Sequence, residues 1–128
     1  MQLLLDTHIL LWATANSASL PAVARDMINH PANQLFFSAA SIWEVSIKNA
    51  QGKSSFQVDP SLLTAALLNA GYQELPISSQ HTIGTGSLPQ IHHDPFDRLL
   101  VAQAIAEGIL LLTHDANVAK YPGPIKLV

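Results

Sequence analysis

The sequence predicts an α/β fold in which helices cover both faces of a parallel sheet, and three observations carry that expectation. Short apolar runs that fit buried strands alternate with longer helix-forming segments along the chain. No period-two hairpin pattern and no Asn-Gly turn joins any two of those runs. Parallel strands need crossover connections, which helices supply, so the alternation selects the parallel arrangement. With 128 residues the chain is long enough to close one core without cross-links, and a single domain spanning 1–128 is expected.

Each element follows from local signals. "QLLLD" is an apolar run ended by an acid and too tightly bounded to be a helix, so it reads as a buried strand. "THILLWATA" continues as a helix that the turn residues and proline of "NSASLP" break. The Pro21–His30 segment places helix formers after a proline suited to a first turn, with Pro31 closing it. A second short strand falls around Leu35–Phe37. Ser38 is placed to cap the next helix, which Gly52 ends. Ile42 and Val45, with Ile47 and Trp43, are that helix's candidates for burial. "DPSLLTAALLNAGY" repeats the pattern with Asp59 or Ser61 as cap and Gly71 as stop, and "QELPI" is the third strand. "SSQHTIGTGSLPQIHH" predicts a short helix and then a loop. A helix over Pro95–Glu107 stopped by Gly108, the strand "ILLLT", a helical turn at Ala116–Lys120 and a fifth strand "IKLV" complete the chain. There is no internal repeat, linker or low-complexity tract.

Composition narrows the function classes. Cysteine is absent, which excludes disulfides and thiolate metal sites and fits a reducing compartment. The opening "MQLLLDTHILLWATA" lacks a basic n-region and carries Asp6 within its apolar stretch, so a cytoplasmic protein is expected rather than a secreted or membrane one. Six Lys and Arg against nine Asp and Glu give a net charge of −3, and any contact with nucleic acid must come from local sites. Hydrophobic residues make up 48% of the chain and mean hydropathy is +0.24, so some apolar surface is expected to meet a partner.

Ligands in open parallel sheets bind beyond the carboxyl ends of the strands. Asp6 follows the first strand, Glu44 lies in the helix after the second, Asp94 and Asp97 open the helix before the fourth, and Asp115 follows the fourth. Bland roles exist for most of them. Asp94 before Pro95 is a good N-cap, Asp97 complements the helix dipole, and Asp115 can cap the last short helix. Ser41 and Glu44 can form a capping box if their helix starts late. Asp6, an acid ending a buried strand, needs a partner on any reading. Coincidence decides between these readings: carboxylates gathered in one crevice repel strongly unless a cation sits among them, and only Lys48 and Arg98 lie near in sequence. Oxygen ligands without cysteine favour Mg²⁺ or Mn²⁺ over zinc, and such ions suit phosphoryl chemistry. His8, His92, His93 and His114 flank the acids, but no paired-histidine helical spacing supports zinc.

"LLLDTHILLW", "FSAASIWEVSIKNAQGK", "HHDPFDRLLVAQA" and "LLLTHD" resemble, in order and spacing, the signature segments of PIN-domain ribonucleases, and specifically the VapC-like toxins of type II toxin-antitoxin pairs. The resemblance spans nearly the whole chain. It implies a three-layer α/β/α sandwich with a five-stranded parallel sheet and an Mg²⁺- or Mn²⁺-dependent endoribonuclease site. Carried over position by position, the metal-binding and catalytic acids are Asp6, Glu44, Asp97 and Asp115, the last in the family's most variable position. Asp94 has no place in the general quartet, although the H-x-D-P-F-D form is familiar in one VapC-like subgroup. Thr7 and Thr113 fall where family hydroxyls help orient ligands or water. Arg98, Lys48 and Lys53 are the nearest bases for RNA contact, and His92 and His93 could grip RNA or position the Asp97 helix. A toxin of this kind forms a homodimer and is silenced by a small antitoxin, for which Trp12, Phe36, Phe37 and Trp43 are core or interface candidates, core being the safer assignment for any one aromatic.

Two rival readings remain. A receiver-type signalling domain shares the length, the sheet and an acidic Mg²⁺ pocket, but needs an acceptor aspartate ending its third strand and a lysine ending its fifth. "QELPI" ends without the first, and Lys126 lies inside "IKLV". A non-catalytic PIN-like binding module would have no use for the mutual repulsion of the full set of acids.

Overall fold

The computed structural model describes residues 1–53 and 57–128. Its elements run β1 (Gln2–Leu5), α1 (Thr7–Thr14), α2 (Ala22–Asn29), β2 (Gln34–Ser38), α3 (Ala39–Ala50), α4 (Pro60–Asn69), β3 (Gln73–Leu75), α5 (Ser79–Thr85), α6 (Pro95–Glu107), β4 (Leu110–Thr113), a 3-10 turn at Val118–Lys120 and β5 (Ile125–Leu127). All strand pairings are parallel and the sheet order is β3-β2-β1-β4-β5. β1 therefore sits at the centre, and the chain builds outward from it in both directions.

Alternation along the strands sorts the core into two layers. Leu3, Leu5, Phe37 and Leu112 face the layer containing Ile9, Leu10, Ala24, Val45, Leu63 and Leu67 from α1, α2, α3 and α4. Leu4 and Leu111 face the other way, onto Leu99, Leu100, Val101 and Ala104 of α6. Successive strand residues point to opposite faces, so a strand buried on both must be apolar throughout, as "LLL" is in β1 and again in β4. The three-layer α/β/α arrangement is thus a direct consequence of two-sided strands.

Most element boundaries follow the local signals. Ser38 caps α3, Asp59 rather than Ser61 caps α4, and Asp94 caps α6 with Pro95 in its first turn. Gly108 ends α6 in the left-handed conformation at φ 66°, which a residue with a Cβ adopts only at a cost. Three expectations need correction. "QELPI" is a strand only over Gln73–Leu75, because Pro76 has no N–H to continue a ladder. Pro21 stands at the cap position before α2 rather than inside its first turn. Trp43 is 54% exposed, so the buried face of α3 is formed by Ala40, Ser41, Glu44 and Val45. Phe37 is fully buried, whereas Trp12 and Phe36 are half-buried at the core margins.

Candidate active site

The centre of the sheet is where the chain reverses its direction of build, and the carboxyl ends of β1 and β4 meet there side by side. Asp6, one residue past β1, is only 7% exposed. Its Oδ1 accepts the Ile9 N–H at 2.9 Å, making Asp6 the N-cap of α1, a role its position in the sequence also permits. Its Oδ2 accepts from the Thr113 hydroxyl at 2.7 Å and from the His114 N–H at 3.4 Å. Burial raises the Asp6 pKa above the usual carboxylate range, against the opposing effect of these hydrogen bonds and of nearby His8. Thr113 in turn accepts the Asp115 N–H at 3.1 Å, so one buried hydroxyl ties both acids at this edge.

Glu44 approaches from the neighbouring side. It is 3% exposed, and its Oε1 accepts from Thr7 Oγ1 at 2.7 Å while its Oε2 accepts from Lys48 one helical turn on. Ser41 Oγ lies 3.0 Å from the same Thr7 oxygen. The Ser41–Glu44 capping box does not form, since α3 begins at Ala39 under the Ser38 cap. That cap belongs to a polar strut through the core. Ser38 Oγ accepts the Ala40 N–H and donates to Gln103 Oε1 at 2.5 Å, and Gln103 Nε2 donates to the Pro76 carbonyl and sits 3.4 Å from His81 Nδ1. His81 Nδ1 accepts the Ser78 N–H and its Nε2 faces Glu107 at 2.9 Å. Gln103 is fully buried, and the strut fixes α6 against the start of α3, the two helices that carry Asp97 and Glu44. The signal for it was legible: a glutamine inside the apolar run "LLVAQAIA" must satisfy its amide from within the core.

The third wall is the start of α6. Asp94 Oδ1 accepts the N–H groups of Phe96 and Asp97 at 2.8 and 3.3 Å, and this cap turns Asp97 toward the other acids. His92 Nε2 lies 3.1 Å from Asp97 Oδ2 and 3.9 Å from Asp115 Oδ2. One ligand atom from each of His92, Asp94 and Asp97 falls within 4.8 Å of the others, so a cation could bridge them. Burial first, then the charges of Asp94, Glu44 and Asp6, push the Asp97 pKa up to about 7, while His92 opposes the rise. A cleft of about 280 Å³ is lined by Asp6, Thr7, His8, Glu44, Lys48, His92, Asp94, Asp97 and Asp115, so all five singled-out acids meet on it.

The flanking bases separate. Lys48 lines the cleft, paired with Glu44, whereas Lys53 is exposed and outside it. Arg98 turns away: its guanidinium donates to the carbonyls of Thr85 and Pro89 and to the Tyr121 hydroxyl. That correction has a simple cause, because successive helical residues point about 100° apart and Asp97 takes the cleft-facing direction. The same Tyr121 hydroxyl accepts the His92 N–H at 2.9 Å and donates to the His92 carbonyl, so Arg98 and Tyr121 together clamp the loop entering α6. His92 points into the cleft and the adjacent His93 is exposed outside it. Asp115 Oδ1 accepts the Asn117 N–H at 2.8 Å, a turn contact beside the 3-10 segment, leaving Oδ2 toward His92.

The chain also resembles known proteins. A family model described as PIN domain matches residues 3–124. Ribonuclease VapC22 of Mycobacterium tuberculosis (strain ATCC 25618 / H37Rv) is 29% identical over 125 residues, covering 95% of each chain. Among solved structures, VapBC2 from Rickettsia felis bound to a DNA fragment from their promoter superposes with a TM-score of 0.72 at 18% identity, covering 99% of this chain and 98% of that one. DNA-bound VapBC from Salmonella typhimurium gives 0.67 at 19% identity, with 98% and 97% covered. These two likenesses are of fold.

Proposed function

Because the chain belongs to the PIN-domain family, we propose that it is an Mg²⁺- or Mn²⁺-dependent endoribonuclease that hydrolyses RNA phosphodiesters and serves as the toxin of a type II toxin-antitoxin pair. One observation carries the reading: Asp6, Glu44, Asp94, Asp97 and Asp115 share one cleft whose lining has Lys48 as its single Lys or Arg among the described residues. The relative named as a ribonuclease covers the same length, and the VapBC complexes share the fold.

The donor set fits a hard divalent cation. Carboxylate oxygens dominate, no thiolate exists in the chain, and Asp97 is held near pKa 7 by burial and then by neighbouring carboxylates whose repulsion a cation would relieve. By the family resemblance Asp6, Glu44, Asp97 and Asp115 are the residues that would hold it, whereas the ligand atoms already within 4.8 Å of one another are those of His92, Asp94 and Asp97. When bound, the ion polarises the phosphodiester and acidifies an attacking water. The chain's own groups do the rest. Thr113 and the His114 amide fix Asp6, Thr7 fixes Glu44, Asp94 fixes Asp97 and the Asn117 amide fixes Asp115, so each ligand is oriented by a neighbour before substrate arrives. His92 Nε2, 3.1 Å from Asp97 Oδ2, steadies that carboxylate in the cleft. Lys48 is the basic group nearest the acids for the RNA backbone, with Lys53 and His93 further out.

The apolar surplus suits the toxin reading. Trp43, Leu62 and Leu68 are exposed, and a shallow groove between α3 and α4 is lined by Ile42, Ser46, Pro60, Ser61 and Thr64. An antitoxin and a second copy of the chain would cover such surface. The test is an RNA-cleavage assay in Mg²⁺, Mn²⁺ and EDTA on wild type, Asp6→Asn and Asp97→Asn. Cleavage confined to the wild type with metal is expected; cleavage that survives EDTA or both substitutions overturns the proposal. For the pairing, expression should arrest growth, and co-expression of a small protein encoded immediately upstream should relieve it.

A further inference from the structure

Beside the acidic cleft lies a second recess of about 380 Å³, lined by Asp6, His8, Trp12, His114, Asp115 and Ala116. It is continuous with the cleft, since Asp6, His8 and Asp115 line both. Its wall is aromatic. The Trp12 ring lies 5.9 Å from the His8 ring at an interplanar angle of 48°, and 5.5 Å from the His114 ring at 73°. His8 and Trp12 share one face of α1 by their spacing of four residues, and His114 comes from the end of β4, held by the Val128 carbonyl at 2.7 Å from its Nδ1. His8 and His114 are exposed and Trp12 is half-buried against the core, so the platform is anchored at its centre and open at both flanks.

Resting on the endoribonuclease reading, we propose that the His8–Trp12–His114 shelf stacks the nucleobase next to the scissile phosphate. A phosphate brought to a cation held by Asp6 and Asp115 has a nucleoside attached on each side, and the recess that leaves those two acids offers one of them a wall. Here that wall is three rings. Aromatic planes hold bases of unpaired strands with little regard to sequence, and a paired base has its faces occupied by its own stack. The shelf also offers what the acidic cleft lacks, an uncharged attraction for a polyanion. Base-to-ring stacking contributes binding that survives where net charge opposes it.

The test uses the emission of Trp12 in a Trp43→Phe background, titrated in Mg²⁺ with a short oligoribonucleotide and with the corresponding abasic ribose-phosphate chain, alongside a cleavage assay of both. A change in Trp12 emission with the base-bearing chain and none with the abasic one is expected. His8→Ala and His114→Ala should weaken the response to the base-bearing chain by about tenfold or more, a larger loss than either causes with the abasic chain. Wild-type kcat/KM should fall on removing the base beside the scissile phosphate, and His8→Ala should add little to that loss, as coupled partners do. Equal responses to the two chains, or additive losses, overturn the shelf while leaving metal-dependent cleavage intact. A base-dependent response without cleavage in any metal overturns the nuclease reading and retains the shelf as a base-binding site. Absence of both response and cleavage overturns both.

Discussion

At the scale of single residues, burial first and neighbouring carboxylates second govern the protonation of Asp97. Its pKa stands near 7 in the folded chain against an ordinary value of 3.8, so between those limits the folded state binds more proton than the unfolded state. Stability of the metal-free protein should therefore fall as pH rises from about 4 to about 7, and level off above. The raised pKa of buried Asp6 acts in the same direction. Thermal melts between pH 5 and 8 in EDTA check the sign. Asp97→Asn should weaken the dependence and raise the metal-free melting temperature at pH 8 by on the order of 5 °C, while lowering RNA cleavage by more than about a hundredfold, beyond the cost of removing an outer ligand partner. Thr113→Val tests the orienting layer. It removes the donor to Asp6 and leaves the Asp115 N–H without its acceptor, so metal affinity measured by titration should drop about 10–100-fold.

At the scale of elements, the site exists because helix starts are aimed by their caps. Asp94 is the cap that turns Asp97 inward, Asp6 caps α1 and so sets Thr7 against Glu44, and Ser38 caps α3 while bonded to Gln103 of α6. A cap and a ligand are separate roles that one carboxylate can fill with different oxygens, as Asp6 does with Oδ1 and Oδ2. Asp94→Ala should accordingly cost about 1 kcal/mol of stability from the lost cap and also reduce cleavage, whereas Gly108→Ala at the far end of α6 should cost a similar amount with cleavage unchanged. Denaturant unfolding and initial rates on the two variants separate the roles. Leu62 on α4 is 70% exposed, so Leu62→Ser should change stability by less than about 0.5 kcal/mol. A loss of antitoxin co-purification with that variant would place the partner on the α3–α4 face.

At the scale of the whole molecule, the central position of β1 brings residues from both ends of the chain together, as the 2.7 Å contact between Thr113 and Asp6 shows. Saturating Mg²⁺ should raise the melting temperature and flatten its pH dependence, because a ligand that binds only the folded state stabilises it and relieves the repulsion around Asp97. An unchanged melt in Mg²⁺ would count against the cleft as a metal site. The α/β class, the strand and helix order, the caps at Ser38 and Asp94 and the stops at Gly52, Gly71 and Gly108 were legible in the sequence, because each depends on neighbours within a few residues. The convergence of the acids followed from Asp6 and Asp115 standing after strand ends and Glu44, Asp94 and Asp97 standing early in helices that start on the same side of the sheet. Other features depend on rotation about a helix axis or on partners far along the chain. Arg98 faces the α5–α6 loop, Trp43 faces solvent, His92 turns inward while His93 does not, and Gln103 reaches Ser38 across 65 positions. By itself the sequence determined which segments are strands and helices and which acids stand at their ends, since period and capping are local. Only the tertiary structure decided which of these side chains share a cleft, because the direction a side chain faces is set by packing between distant elements.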